Sequence, residues 1–204
     1  MDNDSQKTDK RIVRSKLALK SALLELMKKK SFASITTTEI VKHADFNRGT
    51  FYAHYEHKEA LLEDIMHDLL EGLSEAFRKP YEKIDSFEIA SLPATAVALF
   101  DHIYAHAETY SLMVDERVMP GFREKMFNTL KNTSLNDLIH QANMPEKNID
   151  IELFVIYQMH ALLGLACHWI QSGFQHPPKY MAEQLVHILQ ARPNKVVTKK
   201  SLNR

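Results

Sequence analysis

The chain contains one cysteine, Cys167, in 204 residues. That excludes an internal disulfide and any cysteine-rich zinc site, and it suits a reducing compartment. Glycine numbers only 5 and proline only 7, so no glycine-rich loop is present to cradle a phosphate and few positions force a helix to stop. Strand-like alternation of apolar and polar residues is missing over any useful length. The uninterrupted apolar runs, such as residues 161–167, are shorter than the roughly 20 residues of a membrane span, and the charged N-terminus has no secretory apolar stretch. A cytoplasmic protein is expected. Cys167 and His168 are adjacent, so on a helix their side chains diverge and cannot form a nucleophile–base pair, and no enzyme is expected. His102 and His106 are four apart, a spacing that can serve zinc, but no Glu follows His102 and no third ligand is set by spacing, so no metal or other cofactor is expected.

What is present is a core and a charge gradient. Hydrophobic residues make up 45% of the chain, enough for one small and one medium domain. The formal net charge of +0 conceals an asymmetry: residues 1–60 hold 12 Lys and Arg against 8 Asp and Glu, residues 61–190 hold 9 against 18, and the last fourteen residues hold 5 basic and no acidic residues. A basic head attracts DNA through counterion release, while an acidic body is repelled and orients the molecule.

Helical periodicity predicts an all-α fold of about nine helices. The first spans about residues 9–29, with Ile12, Leu19, Leu23 and Leu26 on one face and Lys28, Lys29 and Lys30 suiting its C-terminal dipole. The fourth spans about 58–78 with a stripe of Leu62, Ile65, Leu69 and Leu73, and bridges two domains. In the fifth, Val97, Phe100, Ile103 and Tyr104 point inward. A sixth near 110–116 precedes Pro120, which starts the seventh, ending near 142; the eighth spans 150–171 and the ninth 178–190. The expected division is a flexible arm (1–8), a small basic helical domain (9–57), a larger acidic helical domain (58–191) and a basic, disordered tail (192–204).

Residues 35–58 carry the chemistry. Thr36 and Glu39 have the spacing of a capping box, and Ile35 and Ile40 that of a hydrophobic staple; Asn47 is a favoured cap, with Phe46 and Phe51 at staple spacing around it. Only Asp45 and Phe46 separate the two short helices, and Asp tolerates the left-handed conformation that such a turn needs. Phe51 and Tyr55 face inward; Arg48 and Tyr52 face the other way, with Gly49 and Ala53 beside them. A glycine in the first turn of a helix suggests close approach of the backbone to something large. Arginine can read guanine in the major groove, while Thr, Tyr and His bond phosphates. This is the outline of a helix-turn-helix.

The stretches Thr36-Thr37-Thr38-Glu39-Ile40-Val41, Ala44-Asp45-Phe46-Asn47-Arg48-Gly49-Thr50-Phe51-Tyr52-Ala53-His54-Tyr55 and His57-Lys58-Glu59-Ala60-Leu61 resemble the DNA-binding domain of TetR-type bacterial transcriptional regulators. Asp45 replaces that family's turn glycine, Asn47 its serine cap and Ser31 a common glycine, and His57 is a weak residue for capping the fourth helix. The resemblance implies that Arg48, Thr50, Tyr52 and Ala53 lie at base edges and Thr37, Thr38, Tyr52, His54 and Lys58 at phosphates. Asn47 and Gly49 complete the expected DNA-binding set.

The eighth helix is apolar on nearly every face, so it must be buried on every face, and a second subunit is the usual cover. Ala161, Gly164, Cys167 and His168 offer a narrow groove, with Leu185, Ile188 and Leu189 on the ninth helix beside it. The resemblance implies a four-helix homodimer interface and an effector pocket between helices four to eight, for which Phe100, Tyr104, Met113, Met126, Phe127, Tyr157 and His160 are candidates. The expected protein is a homodimeric repressor that binds a palindromic double-stranded DNA operator and is released by a small-molecule effector. The alternatives are an activator or coactivator working through a protein partner, and a ligand- or metal-binding helical module without DNA binding.

Overall fold

A computed structural model of the chain describes residues 2–83, 93–94, 97–138 and 149–191, with side chains from residue 10 onward. Among these residues it is all-helical: α1 (Asp2–Met27), a 3-10 turn (Phe32–Ser34), α2 (Thr37–His43), α3 (Arg48–Tyr52), α4 (Lys58–Arg78), α5 (Leu99–Ala105), α6 (Ala107–Met113), α7 (Phe122–Asp137), α8 (Ile151–Gln171) and α9 (Pro178–Gln190). The first three helices form the head. The remaining six form the body, in which α7 packs on α4 and α8, and α5 on α4 and α9.

Local chemistry explains most of these ends. Asp150 accepts from the Leu153 amide to start α8, and Pro178 occupies the first turn of α9, where its missing N–H costs nothing. Leu62, Ile65, Leu69 and Leu73 of α4 are all buried, so α4 joins head to body along one apolar stripe. Its 21 residues begin in the head and finish against α7, where Arg78 pairs with Asp137 at 2.5 Å.

Several expectations are corrected. The helix expected to begin at residue 9 begins at Asp2, because no proline or glycine in residues 2–9 interrupts it; the expected arm over 1–8 is therefore helical from residue 2. Within α1, Ile12 is exposed. The sixth helix starts three residues early because His106, at φ −116 and ψ 30, breaks the path between α5 and α6. The seventh starts at Phe122, not Pro120, since Gly121 at φ 79 turns the chain first. Tyr104 points outward, 51% exposed. By length and composition α8 could cross a membrane; the apolar runs that looked too short are joined by Glu152, Gln158 and His160 into one long, mostly apolar helix. Here it packs in the bundle through Val155, Met159, Leu162, Ala166 and Trp169. The expected end of the seventh helix near 142, the loop with Asn143, Pro145 and Asn148, the segment from Asp85 to the residue before Pro93, and the tail 192–204 lie outside the described residues.

Candidate nucleic-acid interface

The turn before α2 is closed by a reciprocal pair. The Glu39 amide donates to Thr36 Oγ1 at 3.3 Å, and Glu39 Oε2 accepts from the Thr36 amide at 2.9 Å. The Lys30 ammonium, 2.5 Å from Glu39, and these Thr36 bonds hold the Glu39 carboxyl at about 2. At the far end of α2, Asp45 adopts φ 56, and the Phe46 amide donates to Val41 O at 2.9 Å. That is the six-to-one closure of a left-handed helix stop, achieved with Asp where glycine is commoner.

The next helix starts at once. Asn47 Oδ1 accepts from the Thr50 amide at 2.9 Å and from the Thr50 hydroxyl at 3.2 Å. A Cβ on Gly49 would stand 3.2 Å from that same Oδ1, so the glycine leaves room for the cap. Phe51 is fully buried and Tyr55 nearly so. The opposite face is open: Arg48, Gly49, Tyr52 and Ala53 are exposed, with Tyr52 at 53%. Thr38 is exposed and Thr37 half-buried on the start of α2.

Two expected phosphate contacts have other partners. Lys58 Nζ donates to the carbonyl oxygens of Phe32 at 2.9 Å, Ala33 at 3.0 Å and Ile35 at 2.7 Å, and lies 4.6 Å from the Phe32 ring centre. An ammonium has three donors, so Lys58 is fully engaged in holding the 3-10 turn against the start of α4. His54, one residue past the α3 cap Ala53, places Nε2 2.7 Å from Ser15 Oγ on α1. Arg11 and Arg14, within one turn of Ser15, are exposed beside this junction. Their place beside it depends on the Ser15–His54 contact, which joins residues 39 apart in sequence. His57 caps α4 after all: its Nδ1 accepts from the Ala60 amide at 3.1 Å, a role open to a neutral imidazole.

Beneath this exposed face, Tyr55 donates its hydroxyl to Asp64 at 2.6 Å. Burial, then the bond to Asp64, pushes the Tyr55 phenol far above its usual range. Burial works to raise Asp64, but Tyr55 and Lys20 outweigh it and its carboxyl is lowered. The head is thus tied to α4 by Lys20, 3.0 Å from Asp64 and 2.5 Å from Asp68.

In the body, the residues expected for an effector pocket separate. Phe100, Met113 and Met126 are in the closed core, with Phe100 edge-on to Trp169 at 5.6 Å. Tyr104 and Tyr157 lie on the surface, Tyr157 at 69% exposure. Phe127 and His160 meet at 3.9 Å between ring centres where α7 and α8 pack. Of the expected dimer contacts, Ala161, Gly164 and His168 form an exposed run on α8, open around Gly164, and Ile188 is exposed on α9. Leu185 and Leu189 are half-buried and Cys167 is buried, which raises its thiol pKa. Among the described residues no group of three or more metal-ligating side chains occurs.

Comparisons with known proteins agree in both halves. The family described as "Bacterial regulatory proteins, tetR family" matches residues 19–65, and a "Transcriptional regulator C-terminal region" matches residues 91–191. The uncharacterized HTH-type transcriptional regulator YxbF of Bacillus subtilis (strain 168) is 27% identical over 198 residues, covering 93% of this chain. The chain spans about half of that relative's length, 48%. A TetR transcriptional regulator from Streptococcus agalactiae 2603V has a similar fold, with TM-score 0.54 and 18% identity over 92% of this chain and 99% of its own. The dihydroxyacetone kinase operon activator DhaS has TM-score 0.54 and 16% identity over 86% and 93%.

Proposed function

The chain belongs to the TetR family of bacterial transcriptional regulators, and from that membership we propose a cytoplasmic homodimeric repressor that binds a palindromic DNA operator and releases it when a small molecule occupies the body. The observation that carries the DNA reading is the exposed Arg48-Gly49-Tyr52-Ala53 face on a short helix whose other face is anchored by buried Phe51. Arg48 pairs with a guanine edge, Thr50 and Ala53 line the groove, and Thr37, Thr38 and Tyr52 meet phosphates. Arg11 and Arg14 add charge along the backbone. Asn47 and His54 serve by fixing α3, and Lys58 by fixing the turn before α2.

Dimerisation through α8 and α9 is supported by the exposed Ala161, Gly164 and His168 run and by Ile188. Cys167, Leu185 and Leu189 stand behind that face. Two heads must then sit in major grooves about 34 Å apart. An effector admitted where α7 and α8 pack, near Phe127 and His160, would move α4 and spoil that spacing, because it prefers one arrangement of the body. No catalytic step belongs to this reading.

The test is selection of bound genomic fragments by the purified protein, followed by Arg48→Ala. The variant should lose about 1–3 kcal/mol of specific binding with an unchanged melting temperature. Equal operator affinity in variant and wild type would remove α3 from the groove.

A further inference from the structure

Between head and body lies a cleft of about 310 Å³, walled by α1, α4 and α6. Its floor is apolar, formed by Leu24, Ile65, Leu69 and Leu112. Five charged side chains stand around it: Lys20 and Lys28 against Glu25, Asp68 and Glu108. Both lysines are already committed to carboxylates. Lys20, its side chain only 14% exposed, is held by Asp64 and Asp68, and Lys28 lies 2.7 Å from both Glu25 and Glu108. The rim therefore offers an incoming molecule carboxylate oxygens, chiefly on Asp68 and Glu108, which are well exposed. Among the described residues, Lys28–Glu108 is the one ion pair that joins α1 to α6.

We propose that this cleft is a binding site for a small amphipathic cation, an ammonium or amidinium on a short apolar body, whose occupancy sets the angle between head and body. The apolar part lies on the leucine floor, and the cation takes Glu108 from Lys28. That exchange opens the α1–α6 clasp and places the ligand between α1 of the head and α6 of the body. A carboxylate ligand fits less well, since the rim carries three acids against two lysines. The volume is at the small end of ligand sites, which limits the apolar part to a short chain or single ring. Binding itself does not depend on the regulator reading; only its consequence for DNA affinity rests on that reading.

The full-length protein is titrated with n-hexylammonium chloride, sodium hexanoate and 1-hexanol at constant ionic strength, following the methyl NMR signals of Leu69 and Leu112. Hexylammonium should shift these signals and bind about fivefold or more tightly than the other two. Butylammonium, two methylenes shorter, should bind about 15-fold more weakly. Glu108→Gln and Asp68→Asn, both at exposed positions, should each weaken hexylammonium about two- to fivefold and leave hexanol unchanged. Hexanoate binding as tightly as hexylammonium, or indifference to both substitutions, would overturn the site.

Coupling is read without DNA from the distance between spin labels at Lys42→Cys on the head and Glu124→Cys on α7, with buried Cys167 left unlabelled. Hexylammonium should shift that distance; an unchanged distance at saturation would overturn the coupling. Failure of the protein to bind any DNA fragment would instead sink the regulator reading while leaving the cleft result intact.

Discussion

Tyr110 donates its hydroxyl to the carbonyl oxygen of Leu69 at 3.1 Å, pinning α6 to the middle of α4. His102 Nε2 closes the junction, 3.0 Å from the Tyr110 hydroxyl and 3.2 Å from the same carbonyl. Burial, then the neighbouring His106, lowers the His102 pKa, which favours the neutral ring. A Cβ on Gly72 would run into that ring. Gly72→Ala should therefore lose about 1–3 kcal/mol through overpacking, although alanine by itself favours a helix by about 1 kcal/mol. Urea unfolding decides between the two; a variant as stable as wild type would mean that the ring moves aside freely.

Lys58→Met keeps the stem over Phe32 but strands three carbonyl oxygens. The expected loss is about 1–3 kcal/mol of folding stability. The salt dependence of DNA binding should stay the same, because no phosphate contact is removed. A shallower salt slope with unchanged stability would return Lys58 to the DNA backbone.

Glu39 titrates in the folded chain at about 2, below its ordinary 4.5. A lowered carboxylate pKa means that its stabilising effect is complete above pH 4.5 and is lost as pH falls towards 2. Glu39→Gln should lower the melting temperature at pH 6 and flatten the decline of stability between pH 4.5 and 2. Parallel decline in both proteins would assign the acid sensitivity to other carboxylates.

Gly164 faces open space within one chain. Gly164→Leu should leave the single chain folded, even with a firmer helix, yet force paired helices apart. Sedimentation should show a dimer for wild type and monomers for the variant. A monomeric wild type would end the dimer reading.

Much of the head was legible because its signals are local. Thr36 with Glu39, and Asn47 with Thr50, act over three residues, so their spacing alone specifies the two caps. Asp150 and Pro178 mark helix starts in the same way. What escaped depends on contacts distant in sequence. Lys58 meets carbonyls 23 to 26 residues earlier, and no motif tells a lysine bound to a turn from one offered to a phosphate. His54 meets Ser15 of α1, 39 residues earlier, a contact that no local motif announces. In the body, position along one helix face decided the outcome: Phe100 and Tyr104, four apart, both meet Trp169, but Phe100 does so in the core and Tyr104 where α5 reaches the surface.

The length of α4 has a mechanical consequence. Its 21 residues rise about 31 Å, and Lys58 clamps one end to the turn before α2 while Arg78 and Asp137 hold the other against α7. Lys58, and Tyr55 and Lys20 on Asp64, hold the head to α4, so it travels with α4 as the tip of a lever. A tilt of about 5° at the body end sweeps the tip by about 3 Å, roughly one hydrogen-bond length. A displacement too small to disturb the core is therefore enough to carry Arg48 a full hydrogen-bond length relative to the body.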